Sequence, residues 1–233
     1  MNACSGWPRL STLLAALLLS AVACAADGSA DPSSDGLQLV EQDHSGEIYA
    51  DPDVDWASYS QIQLLDATVA FRKNWQRDQN RSYPFKVKAD DMQRIRTTLA
   101  ELFREIFTEE LTADRAYVLS EHAGDEVLTI KPAIIDLDVY APDTMQAARS
   151  DQYTESAGRM TLKLELHDSV TGALLARASD RREAFDYNYL RWTTSVTNKA
   201  EAQRMLRQWA KELRRRLDQA RAHDASGANS SPE

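Results

Sequence analysis

The sequence predicts an α+β fold: a two-layer sandwich in which a mostly antiparallel sheet carries two helices on one face. Three observations lead there. Met160 to His167 alternates apolar and polar residues without a break, the period-2 signature of a half-buried strand. Met92, Ile95, Leu99, Leu102, Ile106 and Leu111 recur near a 3.6 period, and Met205, Trp209, Leu213 and Leu217 do so further on. Each of those segments reads as an amphipathic helix. One strand face is polar, so the sheet needs cover on one side only.

The elements follow in the order β-α-β-β-β-α. Strand character begins at Leu37–Val40 and becomes clear over Ser60–Phe71, where a phase change near Leu65 and Asp66 predicts a bulge or twist. Residues 72–85 read as a polar loop closed by Pro84. A helix starts at Asp90 or Asp91, whose carboxylates suit the helix dipole, and runs to Leu111. A short strand over Ala116–Glu121 precedes a turn at Gly124. Val127–Pro142 opens a three-strand meander, and Pro132, which cannot donate to a ladder, predicts an edge or bulge there. Ile135, Leu137 and Val139 read as one alternating face. Met160–His167 is the next strand, Asp168–Gly172 a hairpin loop, and the partner strand places Leu174, Ala176 and Ala178 on one face. The last helix is capped by Asn198 with Glu201, and Arg214 to Arg216 enrich its final turns in positive charge. Residues 37–222 form one domain by this reading, and 223–233 a disordered tail.

The address is written before the domain. Arg9 is the one charge ahead of an apolar run, Leu13 to Ala23, that is shorter than the ~20 residues of a spanning helix. Small residues close it, and no acidic residue precedes Asp27. That layout is a secretory signal peptide over 1–23. Residues 24–36 are rich in Ser, Asp and Gly and read as a flexible tether. The only cysteines are Cys4 and Cys24, so the exported domain has neither internal disulfide nor thiol nucleophile. Ala21-Val22-Ala23-Cys24 resembles the bacterial lipobox, with Ala21 standing where leucine is usual. Lipidation of Cys24 would anchor the chain, since each buried methylene contributes ~0.8 kcal/mol. Ala25 after the cysteine favours the outer membrane over the inner. Ordinary cleavage after Ala23, Ala25 or Ala26, leaving a soluble periplasmic domain, also fits the small-residue pattern.

A formal charge of −9 removes nucleic acid from the partner classes and argues against broad adhesion to anionic lipid. No phosphate-binding glycine loop, HExxH or GxSxG occurs. His44, His122, His167 and His223 have no metal-ligand spacing, so neither metal nor cofactor is expected. Asp136 and Asp138 flank Leu137 and, in regular strand geometry, would share a face at ~6–7 Å, a spacing compatible with a cation site or with the paired carboxylates of a hydrolase acting on envelope glycans or peptides. The other reading is a solvated strand face. Two aromatic-basic segments, holding Arg72 with Trp75 and Arg191 with Trp192, are candidates for a binding surface toward an envelope protein or cell-wall partner; the other reading, which the sequence favours, has Trp75 and Trp192 plugging the ends of the sandwich while Arg72 and Arg191 snorkel.

The segments GLQLVEQ, VAFRKNW, IKPAIIDLDVYAPD, SAGRMTLKLELHDSVTGALLAR and RWTTSVTNKAEAQRMLRQWAKELR, in that order, resemble bacterial domain of unknown function 3313 from Gly36 to Leu217. The resemblance implies an exported protein of Gram-negative bacteria, often a predicted lipoprotein, and brings no catalytic motif.

Overall fold

Met160, Leu162, Leu164 and Leu166 all point into the core, as their alternation predicts, and the sheet is built around that strand. The computed structural model describes residues 36–82, 86–139, 153–154, 158–183, 191–192 and 195–228. Residues 1–35, on which the expected signal peptide, Cys24 and the expected tether fall, and residues 229–233 lie outside the described residues. In chain order the first elements are β1 (Gln38–Gln42), β2 (Gly46–Ala50), β3 (Gln61–Leu64), β4 (Thr68–Phe71), α1 (Trp75–Ser82) and α2 (Ala89–Thr112). They are followed by β5 (Val118–Leu119), β6 (Val127–Val139), β7 (Tyr153–Thr154), β8 (Gly158–Asp168), β9 (Leu174–Glu183), β10 (Arg191–Trp192) and α3 (Ser195–Ala228).

The fold is α+β, and the sheet is mixed. Its eight strands run β1-β2-β9-β8-β6-β3-β5, with β4 also paired to β6. The β1–β2, β2–β9, β9–β8 and β8–β6 pairs are antiparallel. On the far side, β3 and β4 both run parallel to β6, and β5 runs parallel to β3. The expected meander therefore covers only part of the sheet. The parallel edge escapes sequence reading because short apolar strands carry no mark of direction.

The phase change near Leu65 is a break between two strands. β3 pairs with β6 as far as Ile130, and β4 resumes at Ala133. Pro132 sits in that gap. It therefore needs no sheet edge: β6 is central, and its neighbour is interrupted where proline has no N–H to offer. A bulge follows, because Ile135 faces Thr161 while Asp138 faces Arg159, leaving Asp136 and Leu137 against one residue. Asp136 takes a φ of 52° there. Ile135 thus lies on the opposite face from Leu137, which corrects the single face expected of Ile135, Leu137 and Val139.

Helix α2 matches its periodicity. Leu99, Leu102, Phe103, Ile106, Phe107 and Leu111 are buried, and the Phe103 and Phe107 rings stack at 3.9 Å. Asp91 Oδ2 accepts from the Lys88 N–H at 2.8 Å and closes the first turn. Helix α1 was expected as loop, since it carries no apolar repeat beyond Trp75. Side chains hold it instead: Gln76 and Asn80, one turn apart, both donate to the Val87 carbonyl, and Asn80 Oδ1 accepts from Val87 N–H. Helix α3 starts before Asn198 and runs through Ala228, so 223–228 is helical and not a disordered tail. The reason is a contact: Asp224 Oδ2 accepts from the backbone N–H of Trp56 at 2.7 Å.

Asp168 builds the β8–β9 hairpin with Oδ1, which accepts from Thr171 N–H and Oγ1, while Gly172 supplies the positive φ of 72°. Oδ2 of the same carboxylate accepts from the Tyr59 hydroxyl at 3.0 Å. Burial, reinforced by Asp168, pushes the Tyr59 phenol up to about 12. An unfolded tyrosine ionises near ~10, so the phenol holds its proton more tightly in the folded chain. Its stabilisation is whole below that value and is lost as pH rises toward the folded value. Denaturant midpoints of wild type should therefore fall more steeply than those of Tyr59→Phe as pH rises from the unfolded value of ~10 to the folded value of about 12. Parallel curves would remove the assignment.

Candidate functional site

Two strands meet here with almost no side chains to bury. The β2–β9 register sets Gly46 against Asp180, Ile48 against Ala178 and Ala50 against Ala176, all on the helix side of the sheet. Four of these six residues are glycine or alanine. Opposite them α3 turns Trp209, Leu213 and Leu217 toward the sheet, the stripe its periodicity predicts. Large residues on the helix facing small ones on the strands do not close the space. A cleft of about 570 Å³ remains between the β1–β2 hairpin and α3, with Leu162, Leu164 and Leu166 of β8 at its inner wall. That volume lies within the ~300–1,000 Å³ range of small-ligand sites.

Polar side chains fasten the cleft at three places. Glu41 on β1 reaches across to Arg216 on α3 at 2.9 Å, and Glu212 holds the same guanidinium at 2.6 Å. Arg215, then Arg216, keep the Glu212 carboxyl below the ordinary range against its partial burial. At one end the Trp56–Asp224 hydrogen bond latches the turn Trp56–Ser58 to α3. At the other, Asp180 Oδ2 accepts from Trp209 Nε1 at 2.7 Å and from Arg182 Nε at 2.9 Å. Arg182 also donates to Gln208 and lies over the Trp209 ring. Asp180 Oδ1 is buried with no hydrogen-bond donor among the described residues. The arrangement is an apolar trough with a charged rim.

The residues singled out from sequence lie elsewhere. Trp75 is 1% exposed, stacks on Phe71 at 4.1 Å and donates its indole N–H to the Val139 carbonyl at 2.9 Å. It plugs the end of β4 and β6 and offers no ring to a partner. Arg72 bridges Asp78 and Asp138, each at 2.8 Å, and those carboxylates, Asp78 foremost, raise its pKa above the ordinary guanidinium value. Arg191 and Trp192 form β10, which pairs with β7 in a separate two-stranded ladder. Their side chains lie outside the described residues, as does Cys24. Asp136 and Asp138 do not make a carboxylate pair: the bulge exposes Asp136, while Asp138 is bound by Arg72 and Arg159. His167 stands between Glu165 and the Gly172 carbonyl, at 3.1 Å from each. Among the described residues no cluster of His, Cys, Asp and Glu could hold a metal ion, and no helix is long and apolar enough to cross a membrane.

A family model described as Protein of unknown function (DUF3313) matches residues 27–213. The chain belongs to that family. Comparison of this DUF3313 chain with curated proteins finds no match. Among solved structures, it is similar to the PelC dodecamer from Paraburkholderia phytofirmans at 8% identity and a TM-score of 0.35, covering 72% of this chain and 97% of that one. It is also similar to a PDZ domain protein from Parabacteroides distasonis ATCC 8503, at 11% identity and a TM-score of 0.35, covering 71% of this chain and 35% of that one.

Sequence reading of the DUF3313 chain misses the cleft for a physical reason. Ala176 and Ala178 share a face in any strand register, but a hollow exists only once β2 supplies Gly46 and Ala50 beside them. The signal available was the pairing of alanine-rich β9 with a helix stripe of tryptophan and leucine. Asp180 and Arg182, on the same face of β9, carry the charge that marks the cleft's end.

Proposed function

We propose that this chain is a non-enzymatic binding protein of the cell envelope, held at a membrane by a lipid on Cys24 and offering the cleft beside α3 to an apolar ligand. The supporting observation is the cleft itself. Four small residues face a tryptophan and two leucines, where larger side chains would bury more apolar surface and raise stability. A protein that keeps such a hollow forgoes packing energy, and ligand capture is the reading that gives the hollow a use. The predicted tether, 24–36, would leave the domain free above an outer-membrane surface while its N-terminus stays fixed.

The anchor is tested by acyl labelling and intact mass of membrane and soluble fractions from wild type and Cys24→Ala. Wild type should carry lipid and sediment with membrane, and the variant should be unlabelled and soluble. An unlabelled wild type that begins after Ala25 or Ala26 would leave the cleft on a free periplasmic domain and remove the anchor.

A further inference from the structure

The charge around the cleft restricts what can enter it. Seven carboxylates and three guanidiniums line its walls and rim. All three arginines are engaged: Arg216 by Glu41 and Glu212, Arg182 by Asp180, and Arg177 over the Tyr49 ring. An anionic head group would meet net negative charge and have to displace an ion pair to find a cation. A cationic head meets the opposite situation. The Asp180 carboxylate adds a directional element, since the residue lines the cleft with its side chain 28% exposed. An ammonium N–H would donate to that carboxylate in a charge-assisted hydrogen bond. Between the ends, from Gly46 to Ala50, the trough runs about 14 Å at strand rise and is apolar along β2, β9 and α3.

We infer that the cleft takes an amphiphile with one apolar chain and a cationic, N–H-bearing head, an amine-bearing lipid in chemical class, with the chain along Ile48 and Ala178 and the head at the Asp180 end. The inference rests on the reading of the cleft as a ligand site. It explains why a rim beside an apolar trough is acidic, an arrangement that turns away fatty acids and ordinary anionic phospholipids.

The test holds the chain constant and varies the head. Dodecylammonium, dodecyltrimethylammonium, dodecyl maltoside and dodecanoate are titrated, each below its micelle concentration, into the full chain carrying Cys24→Ala. Dodecylammonium should bind at one site at least about tenfold tighter than dodecanoate, with the advantage shrinking at high salt. The trimethyl head, charged but without an N–H, should fall between them. Ala178→Leu and Ile48→Trp fill the trough from adjacent strands, and each should abolish binding while thermal unfolding stays cooperative. If dodecanoate or the maltoside binds as tightly as dodecylammonium and both filling variants still block it, the head-group inference is overturned and the cleft reading survives. If no probe binds, or the filling variants bind as wild type does, the cleft reading itself fails.

Discussion

Trp75→Ala should cost the chain about 3–5 kcal/mol of folding stability, the range for removing a large buried aromatic. The indole is 1% exposed, so the transfer term is close to complete. Two further losses add to it. The Phe71 ring, stacked at 4.1 Å, would lose its partner, and the Val139 carbonyl would lose the donor that reaches it at 2.9 Å. Collapse around the void is restricted, because Asn74 enters α1 with a φ of 64° and Arg72 is fixed by two carboxylates. Trp75→Phe separates the terms: it keeps a ring to stack and should recover more than half of the loss. Urea unfolding of the three proteins measures this. A loss below ~1 kcal/mol for the alanine variant would mean that the ring is not a core plug.

Strand β8 and helices α2 and α3 are legible in the sequence because each carries an uninterrupted period and each buries one face. Helix α1 is not, since its support comes from Gln76 and Asn80 binding the backbone at Val87, which no hydrophobic pattern records. The bulge at Asp136 is invisible for a related reason. Alternation through IIDLDV reads equally well in either register, and only pairing with Thr161 on one side and Arg159 on the other forces an extra residue in. The parallel pairing of β3 and β4 to β6 depends on how the chain returns through α1 and α2, a global property.

The site is less legible than the fold. A tryptophan beside an arginine looks alike whether it greets a partner or fills a core, and burial decides between them. Trp75 went to the core. The cleft depends on residues that read as unremarkable strand fillers, Ala50, Ala176 and Ala178, and on a hairpin of which the sequence reading found only the first strand. Asp43 explains why that hairpin forms: its Oδ1 accepts from Ser45 N–H, Ser45 Oγ and Gly46 N–H, and closes a three-residue turn. The Ser45 hydroxyl, then its backbone N–H, lowers the Asp43 pKa, so the turn is strongest with the carboxylate ionised.

Gly46→Ala should unseat that hairpin and with it one wall of the cleft. Here glycine is required by distance: a Cβ at this position would overlap the Ser179 carbonyl oxygen and lie 2.9 Å from Asp180 Cα, both backbone atoms that cannot rotate away. The ladder must open where Gly46 pairs with Asp180, and the Arg181 N–H bond to the Ser45 carbonyl goes with it. Overpacking of this kind costs about 1–3 kcal/mol, and more where backbone is the obstacle. The damage should stay local, since β6, β8, α2 and α3 share a core that does not include Gly46. Hydrogen exchange should then show lost protection over residues 38–50 and along β9, with α2 and β6 as protected as in wild type. The Glu41–Arg216 bridge would lose its strand-side partner, and the trough would open to solvent along its whole length. A variant that keeps protection across 38–50 would show that β2 can shift to admit the methyl. The same variant links stability to the proposed role, because it removes the cleft's wall without touching Ala178 or Trp209. Loss of probe binding with those side chains intact would make the hairpin's seat on β9, and not any single contact, the condition for an occupied cleft.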